Sequence, residues 1–430
     1  MASSGSFIDR LKPARALFTG DFARKGYLSA VDQGLISLAN FFTAIVLARQ
    51  ITPSEFGIYA VGFAALHLVR SVFEGIIVQP LNALGSPMEL PAFRRYASAS
   101  GVIQALLAAV MAAGAFALGS LLTRMGNDTA GPAISGMWFM ILLWPLQDYL
   151  RRVFYARNRV LDAVINTGIT SAARIGVLWA LILRGNVTGI TGMDAIGWGA
   201  LAGFLIGLLQ ARGFLSRQIA NLKETWSSNW TAGRWVLGGS VANWVALEVY
   251  PILAAGMISF AAAGVYRALQ IPVAPVHVIL RAADTFVTPR AAVIGARDGP
   301  RGVTRILRLT YLLVGIPILL ILLLIVLFAE PILSALYGET YQAYLAGMGL
   351  IAVFYALWYL YWPLQSVLKG LGRTIPIFAA NLAATVVMLT FGILLIRQWG
   401  LYGTIAGQAL NALVINLVLW FEWLRYRKAQ

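Results

Sequence analysis

Runs of apolar residues, most of them near 20 long, follow one another along the whole chain and decide what it can fold into. About 20 residues in a helix rise roughly 30 Å, the thickness of a bilayer's hydrocarbon core. The runs are continuous rather than alternating, which excludes a transmembrane barrel. Only 12% of the residues are charged and 59% are hydrophobic, where a soluble domain carries about 25% charged residues. The expectation is an all-α polytopic membrane protein. The spans fall at 27–48, 57–79, 99–122, 133–154, 160–183, 190–211, 234–257, 262–288, 309–332, 342–368, 374–396 and 401–424. The run 262–288 is interrupted by Arg267, Pro272, Pro275, Arg281 and Asp284, and is retained for its length and its place in an internal repeat.

That repeat is carried by four short matches. Trp144-Pro145-Leu146-Gln147 returns as Trp362-Pro363-Leu364-Gln365. Ser37-Leu38-Ala39-Asn40-Phe41 returns as Ser240-Val241-Ala242-Asn243-Trp244, Gly57-Ile58-Tyr59 as Gly264-Val265-Tyr266, and Gly189-Ile190-Thr191-Gly192 as Gly400-Leu401-Tyr402-Gly403. The second copies keep the order of the first, each about half a chain later. Six spans per half is an even number, so both halves enter the membrane in the same direction. This makes a parallel repeat: two six-helix lobes related by an axis along the membrane normal, with a cleft between them.

Charge sets the expected orientation. Arg49, Arg124, Arg184 and Arg397 lie in loops on one side, and Arg70, Arg174, Arg267 and Arg281 lie within spans. The other 25 of the 33 Lys and Arg residues fall with the termini and the loops on their side. Basic residues accumulate on the cytoplasmic face, so both termini should be cytoplasmic. Residues 1–25 mix Arg10, Lys12 and Arg15 with Phe7, Leu11 and Phe18 and lack an apolar signal core, as an amphipathic segment on the membrane surface would. The N-lobe is expected at 26–211 and the C-lobe at 234–430. The linker 212–233 has the pattern of a helix lying on the cytoplasmic surface. The net charge of +16 is thus topological and does not point to nucleic acid. With no cysteine and two histidines, the chain offers no disulfide and no Cys/His cluster for a metal, and no cofactor is expected.

Several motifs resemble one family. Ala48-Arg49-Gln50-Ile51-Thr52-Pro53-Ser54-Glu55-Phe56-Gly57-Ile58-Tyr59-Ala60 is similar to the pattern Ala-Arg-x-Leu-x-Pro-x-Glu-Phe-Gly-x-Tyr of the polysaccharide transporters, with Ile51 where leucine is usual. These are the O-antigen and exopolysaccharide flippases of the multidrug/oligosaccharidyl-lipid/polysaccharide (MOP) superfamily. Pro331-Ile332-Leu333-Ser334-Ala335-Leu336-Tyr337-Gly338 with Tyr341, then Gly372-Arg373, then Gly400-Leu401-Tyr402-Gly403 fit in the family's order, so the resemblance covers nearly the whole chain. It implies a multi-pass protein of the bacterial inner membrane. By alternating access such a protein moves a polyprenyl-pyrophosphate-linked oligosaccharide to the outer leaflet, for surface or exopolysaccharide synthesis. Its expected partners are that glycolipid, membrane lipids, H⁺ or Na⁺ as coupling ion, and other polysaccharide-assembly proteins.

Charges inside the spans are the candidate binding residues, because a mid-bilayer charge normally faces a bundle interior or a water-filled cavity. Arg70, Arg174, Arg267 and Arg281 suit phosphate oxygens through the guanidinium fork. Within their own helices, Glu74 is four residues from Arg70 and Asp284 three from Arg281, so these two could instead be neutralised locally. Asp32 and Glu248 have no such neighbour, which leaves them as coupling-ion sites or as partners of Arg174 and Arg267 across the cleft. Counted from Gly57, Arg70 and Glu74 occupy the positions that His277 and Arg281 occupy from Gly264. The two faces are therefore expected to oppose each other across the cleft, with Glu74 holding Arg70 in place and His277 lending pH sensitivity. Phe354, Trp358 and Trp362 share a face and either stack on sugar rings or pack. Pro145 and Pro363 either hinge their helices or bend them statically.

Two other functions compete with a flippase. A drug/cation antiporter of the same superfamily would favour an acid-lined pocket. A membrane glycan polymerase or ligase would need a sizeable external loop, and the loops here are short, with no paired carboxylates, nucleophile elbow or phosphate-cradling glycine loop. The expectation is a transporter and not an enzyme, and nothing resembles a channel filter.

Overall fold

A computed structural model describes residues 21–428, which form helices joined by short turns, with no strand among the described residues. The segment expected to lie on the membrane surface falls almost wholly outside these residues; the first span begins at Asp21 and runs to Gln50. Eight helices are long and apolar enough to cross a membrane, nine when the pair Leu222–Leu247 and Tyr250–Met257, bent by 48°, is one span. Two of these are each a pair of spans. A 54-residue helix, Ala274–Leu327, would be about 80 Å long if straight. It turns instead at Gly299, whose φ of 59° suits a residue without a Cβ. Span ten, Leu345–Gly370, meets both arms: Tyr355 and Trp358 touch His277, and Tyr359 touches Tyr311, so the arms lie side by side. Ile393–Lys428 turns likewise at Gly400, φ 55°, and brings Gly407 back beside Gly392. Trp138–Ala156, span four, brings the count to twelve; it is too charged to pass on apolarity alone because it holds Asp148, Arg151 and Arg152.

The remaining spans are Pro53–Phe73 with π turns at Glu74–Val78 and Leu81–Gly85, then Leu90–Arg124, Val160–Leu183 and Gly189–Ala211. Span eight starts as Phe260–Gln270 and passes through a 3₁₀ turn, Ile271–Val273, at Pro272. Neighbours repeat between the halves: span four packs on spans three and six, and span ten on spans nine and twelve. The linker differs from expectation. No separate surface helix forms; Leu222 opens the helix that becomes span seven, capped by Asn221. The preceding stretch is tied to span three, through Arg94 Nε to Gly213 O (2.6 Å), Ser98 Oγ to Ser216 N (2.8 Å) and Ala220 N to Arg95 O (3.1 Å).

Glycines set how closely helices approach, as they do where lipid gives no hydrophobic drive to association. Gly199, Gly203 and Gly207 line one face of span six, and a Cβ on them would strike Thr170 O, Thr170 Oγ1 and Leu150 respectively. The repeat-related Gly57 and Gly264 face each other where spans two and eight cross between the lobes. A Cβ on Gly57 would lie 1.7 Å from Phe260 O, and one on Gly264 2.0 Å from Pro53 O. Gly264→Val should therefore lower the unfolding transition in detergent by the equivalent of about 1–3 kcal/mol or more. Gly349→Val, where a Cβ meets nothing within 4 Å, should leave it nearly in place. Equal transitions in the two variants would mean that the inter-lobe seam is not tightly packed.

Candidate functional site

A cavity open to solvent lies among spans one, two, four, five and six and is faced by Arg281 from span eight of the other lobe. Its polar lining is Gln33 and Asn40, His67 and Arg70, Gln147, Asp148 and Arg151, Thr167, Thr170, Ser171 and Arg174, and Arg281. Each residue is placed by its helix phase: His67, Arg70 and Glu74 recur at three- and four-residue intervals on one side of span two, as do Asn166, Thr167, Thr170 and Arg174 on span five. Three of the four expected arginines thus come to one place. Arg174 is 7% exposed, donates to Asn40 Oδ1 (2.7 Å) and Tyr59 OH (3.1 Å), and leaves its Nε without a partner. Arg70 is half-buried and Arg281 exposed, and neither forms an ion pair among the described residues. All three cations therefore face the cavity without a carboxylate of their own.

The acids are committed elsewhere, and the local pairings expected from spacing do not form. Glu74 does not hold Arg70; it accepts from Gln79 (3.2 Å) and lies 3.6 Å from Arg152 of span four. Asp284 does not pair with Arg281; it accepts from Thr288 (3.0 Å) and Ser366 (2.6 Å). Asp32 is fully buried and bridges neither Arg174 nor Arg267. Its Oδ2 accepts from Arg151 (2.6 Å) and Tyr155 (2.7 Å), and its Oδ1 from Thr167. Arg151 also binds Asp148 (2.7 Å), which in turn accepts from Arg152 (3.3 Å). A coupling ion at Asp32 would have to displace Arg151. Glu248, at the break in span seven, crosses the lobes to His67 of span two (3.1 Å) rather than to Arg267, and its side chain is 46% exposed.

The other candidates do not line the large cavity. Arg267 lies over the Phe63 ring (4.6 Å) beside a small hollow shared with Glu248, and its Nε has no partner. His277 bonds Tyr355 OH (2.9 Å) and packs on Trp358 (4.6 Å). Of the two faces matched by the repeat, one residue each, Arg70 and Arg281, meets the cavity; Glu74 and His277 do not. Trp358 and Trp362 do not line it either, and Trp362 is buried. Pro145 and Pro363 lie inside unbroken helices, and Gln104 donates to the Pro145 carbonyl (2.5 Å).

Residues missed from the sequence are Asp148, Arg151, Arg152 and His67. The charge count places Arg151 and Arg152 with the loops, although they lie inside the expected span 133–154. Their spacing from Asp148, three and four residues, was a visible sign of one ionic face. His67 is one of only two histidines and stands three residues before Arg70.

No family model matches the chain, and no curated protein is significantly similar to it. Solved structures are. An inward-facing multidrug resistance MATE family transporter of the MOP superfamily aligns with a TM-score of 0.73 and 13% identity, over 91% of this chain and 95% of its own. The lipid II flippase MurJ, in an inward closed conformation, gives 0.69 and 13%, over 92% and 87%. An outward-facing MATE transporter gives 0.61 and 12%, over 94% and 96%. At these identities the likeness establishes the fold: about twelve helices in the arrangement of MOP superfamily transporters, in a multi-pass membrane protein.

Proposed function

We propose that the protein is a flippase that carries a polyprenyl-pyrophosphate-linked oligosaccharide across the bacterial inner membrane by alternating access between its lobes. The observation that carries this reading is the cavity with Arg70, Arg174 and Arg281 and, among the described residues, no carboxylate paired to any of them. Unpaired guanidinium groups in a low-dielectric bundle are stabilised by an anion, and a pyrophosphate supplies one with oxygens that match the fork. Arg70 and Arg281 come from different lobes, so one phosphate group held by both would join the lobes in one state and be released when they part. The antiporter reading has one observation in its favour: Glu248, half-exposed between the lobes and hydrogen-bonded to His67, is an acid within reach of an organic cation. Binding to the protein in lipid nanodiscs separates the two. A lipid-linked pyrophosphoryl glycan should bind and a lipophilic cation such as tetraphenylphosphonium should not; the reverse result overturns the flippase.

The charge distribution supports cytoplasmic termini. Asn127 is exposed at the end opposite the termini, and Asp298 is exposed beside the turn at Gly299, on the termini's side. In intact cells, Asn127→Cys should react with an impermeant thiol reagent and Asp298→Cys should not. The opposite pattern would invert the orientation.

A further inference from the structure

The two motifs that carry the family resemblance are far apart in sequence and meet in the fold. Arg49, in the last turn of span one, reaches across to the other lobe and donates from Nε to Leu336 O (2.5 Å) and from Nη2 to Ala335 O. Those carbonyls end the helix Ala329–Tyr337, which stops at Gly338 with φ 67°. The last carbonyls of a helix have no partner within it and carry the negative end of its dipole, so a guanidinium is their natural cap. The short helix is in turn fixed to its own lobe by Tyr337 OH to Ala268 O (3.0 Å). In the same motif Gly57 packs against Gly264 of the other lobe. The rest of the first motif builds the platform: Thr52 caps span two, Pro53 opens it, and Glu55 accepts from Gly189 N (2.7 Å) at the start of span six. Tyr59 completes it by holding Arg174 at the cavity.

We propose that Arg49 is the latch of a gate that shuts the central cavity at the end opposite the termini, gripping the carboxyl end of the helix Ala329–Tyr337 across the lobes. Opening that end requires the lobes to part at the glycine crossing, and Arg49 must then let go of both carbonyls. The contact exists only in the closed state, so it biases the two-state equilibrium toward closure. The proposal rests on the alternating-access reading but not on the identity of the cargo.

The chain has no cysteine, so Ser171→Cys, which lines the cavity, reports access cleanly. An impermeant maleimide is applied to either side of sealed vesicles of known orientation. With Arg49 in place, labelling from the side opposite the termini should be slow. Arg49→Ala and Arg49→Gln should each raise it about tenfold or more, since each removes both charge-assisted hydrogen bonds, which are weakened by their exposure to solvent. Arg49→Lys, which keeps one donor at a time, should raise it less. Arg49 is exposed, so these variants should elute and unfold like the parent. Unchanged labelling in Arg49→Ala and Arg49→Gln, or an equal rise from the side of the termini, overturns the latch. Neither outcome touches the glycan reading, which is decided by ligand binding.

Discussion

Replacing Arg70 and Arg281 together by alanine is expected to weaken binding of a polyprenyl-pyrophosphate glycan by roughly a hundredfold or more and to leave the fold intact. Hydrogen bonds to a charged group contribute about 1.5–3 kcal/mol each, and two are removed. Neither arginine forms an ion pair with an acid among the described residues, so neither deletion strands such a partner inside the bundle. Each single substitution should give about half of the free-energy loss. Arg174→Ala should also lower affinity, with partial recovery in Arg174→Lys, whose ammonium can take only part of the place between Asn40 and Tyr59. Titration in nanodiscs gives the affinities, and the unfolding transition tests the fold. An affinity unchanged in the double variant removes these arginines from the site.

Asp32→Ala should strongly destabilise the N-lobe. Asp32 is fully buried, and three side chains from spans four and five converge on it: Arg151, Tyr155 and Thr167. Removing one member of a buried ion pair costs about 3–5 kcal/mol, because the other charge stays behind. Arg151 retains Asp148, which places the expectation near the lower end of that range. Asp32→Asn should recover part of the loss, since an amide oxygen can still accept from Tyr155 or Arg151. Thermal unfolding in detergent is the measurement. If Asp32→Asn unfolds like the parent while the ion dependence of transport changes, the residue is a coupling site and not a structural anchor.

The span pattern was legible because it depends on hydropathy summed over about 20 residues, which no tertiary contact can reverse. The same holds for the repeat. Gly57 and Gly264, matched by a triplet identical at two of its three positions, stand face to face at the seam between lobes. Arg70, Arg174 and Arg281 were legible as cavity residues because a charge cannot face lipid cheaply. The run 262–288 kept its place although Pro272 interrupts it, since a 3₁₀ turn absorbs the missing donor.

The partners of those charges were not legible. Spacing suggested Arg70–Glu74 and Arg281–Asp284, yet such pairs along one helix contribute only about 0.2–0.5 kcal/mol. In a low-dielectric bundle a pair between helices is stronger, and Glu74 turned to Arg152 while Asp32 took Arg151. The sequence by itself determined that this chain crosses a membrane about twelve times in two related halves with arginines inside. Only the tertiary structure decided which arginines remain unpaired, because pairing depends on which helix faces lie within 3 to 4 Å of each other. That proximity is set by glycine crossings and helix phase across the bundle rather than by distance along the chain.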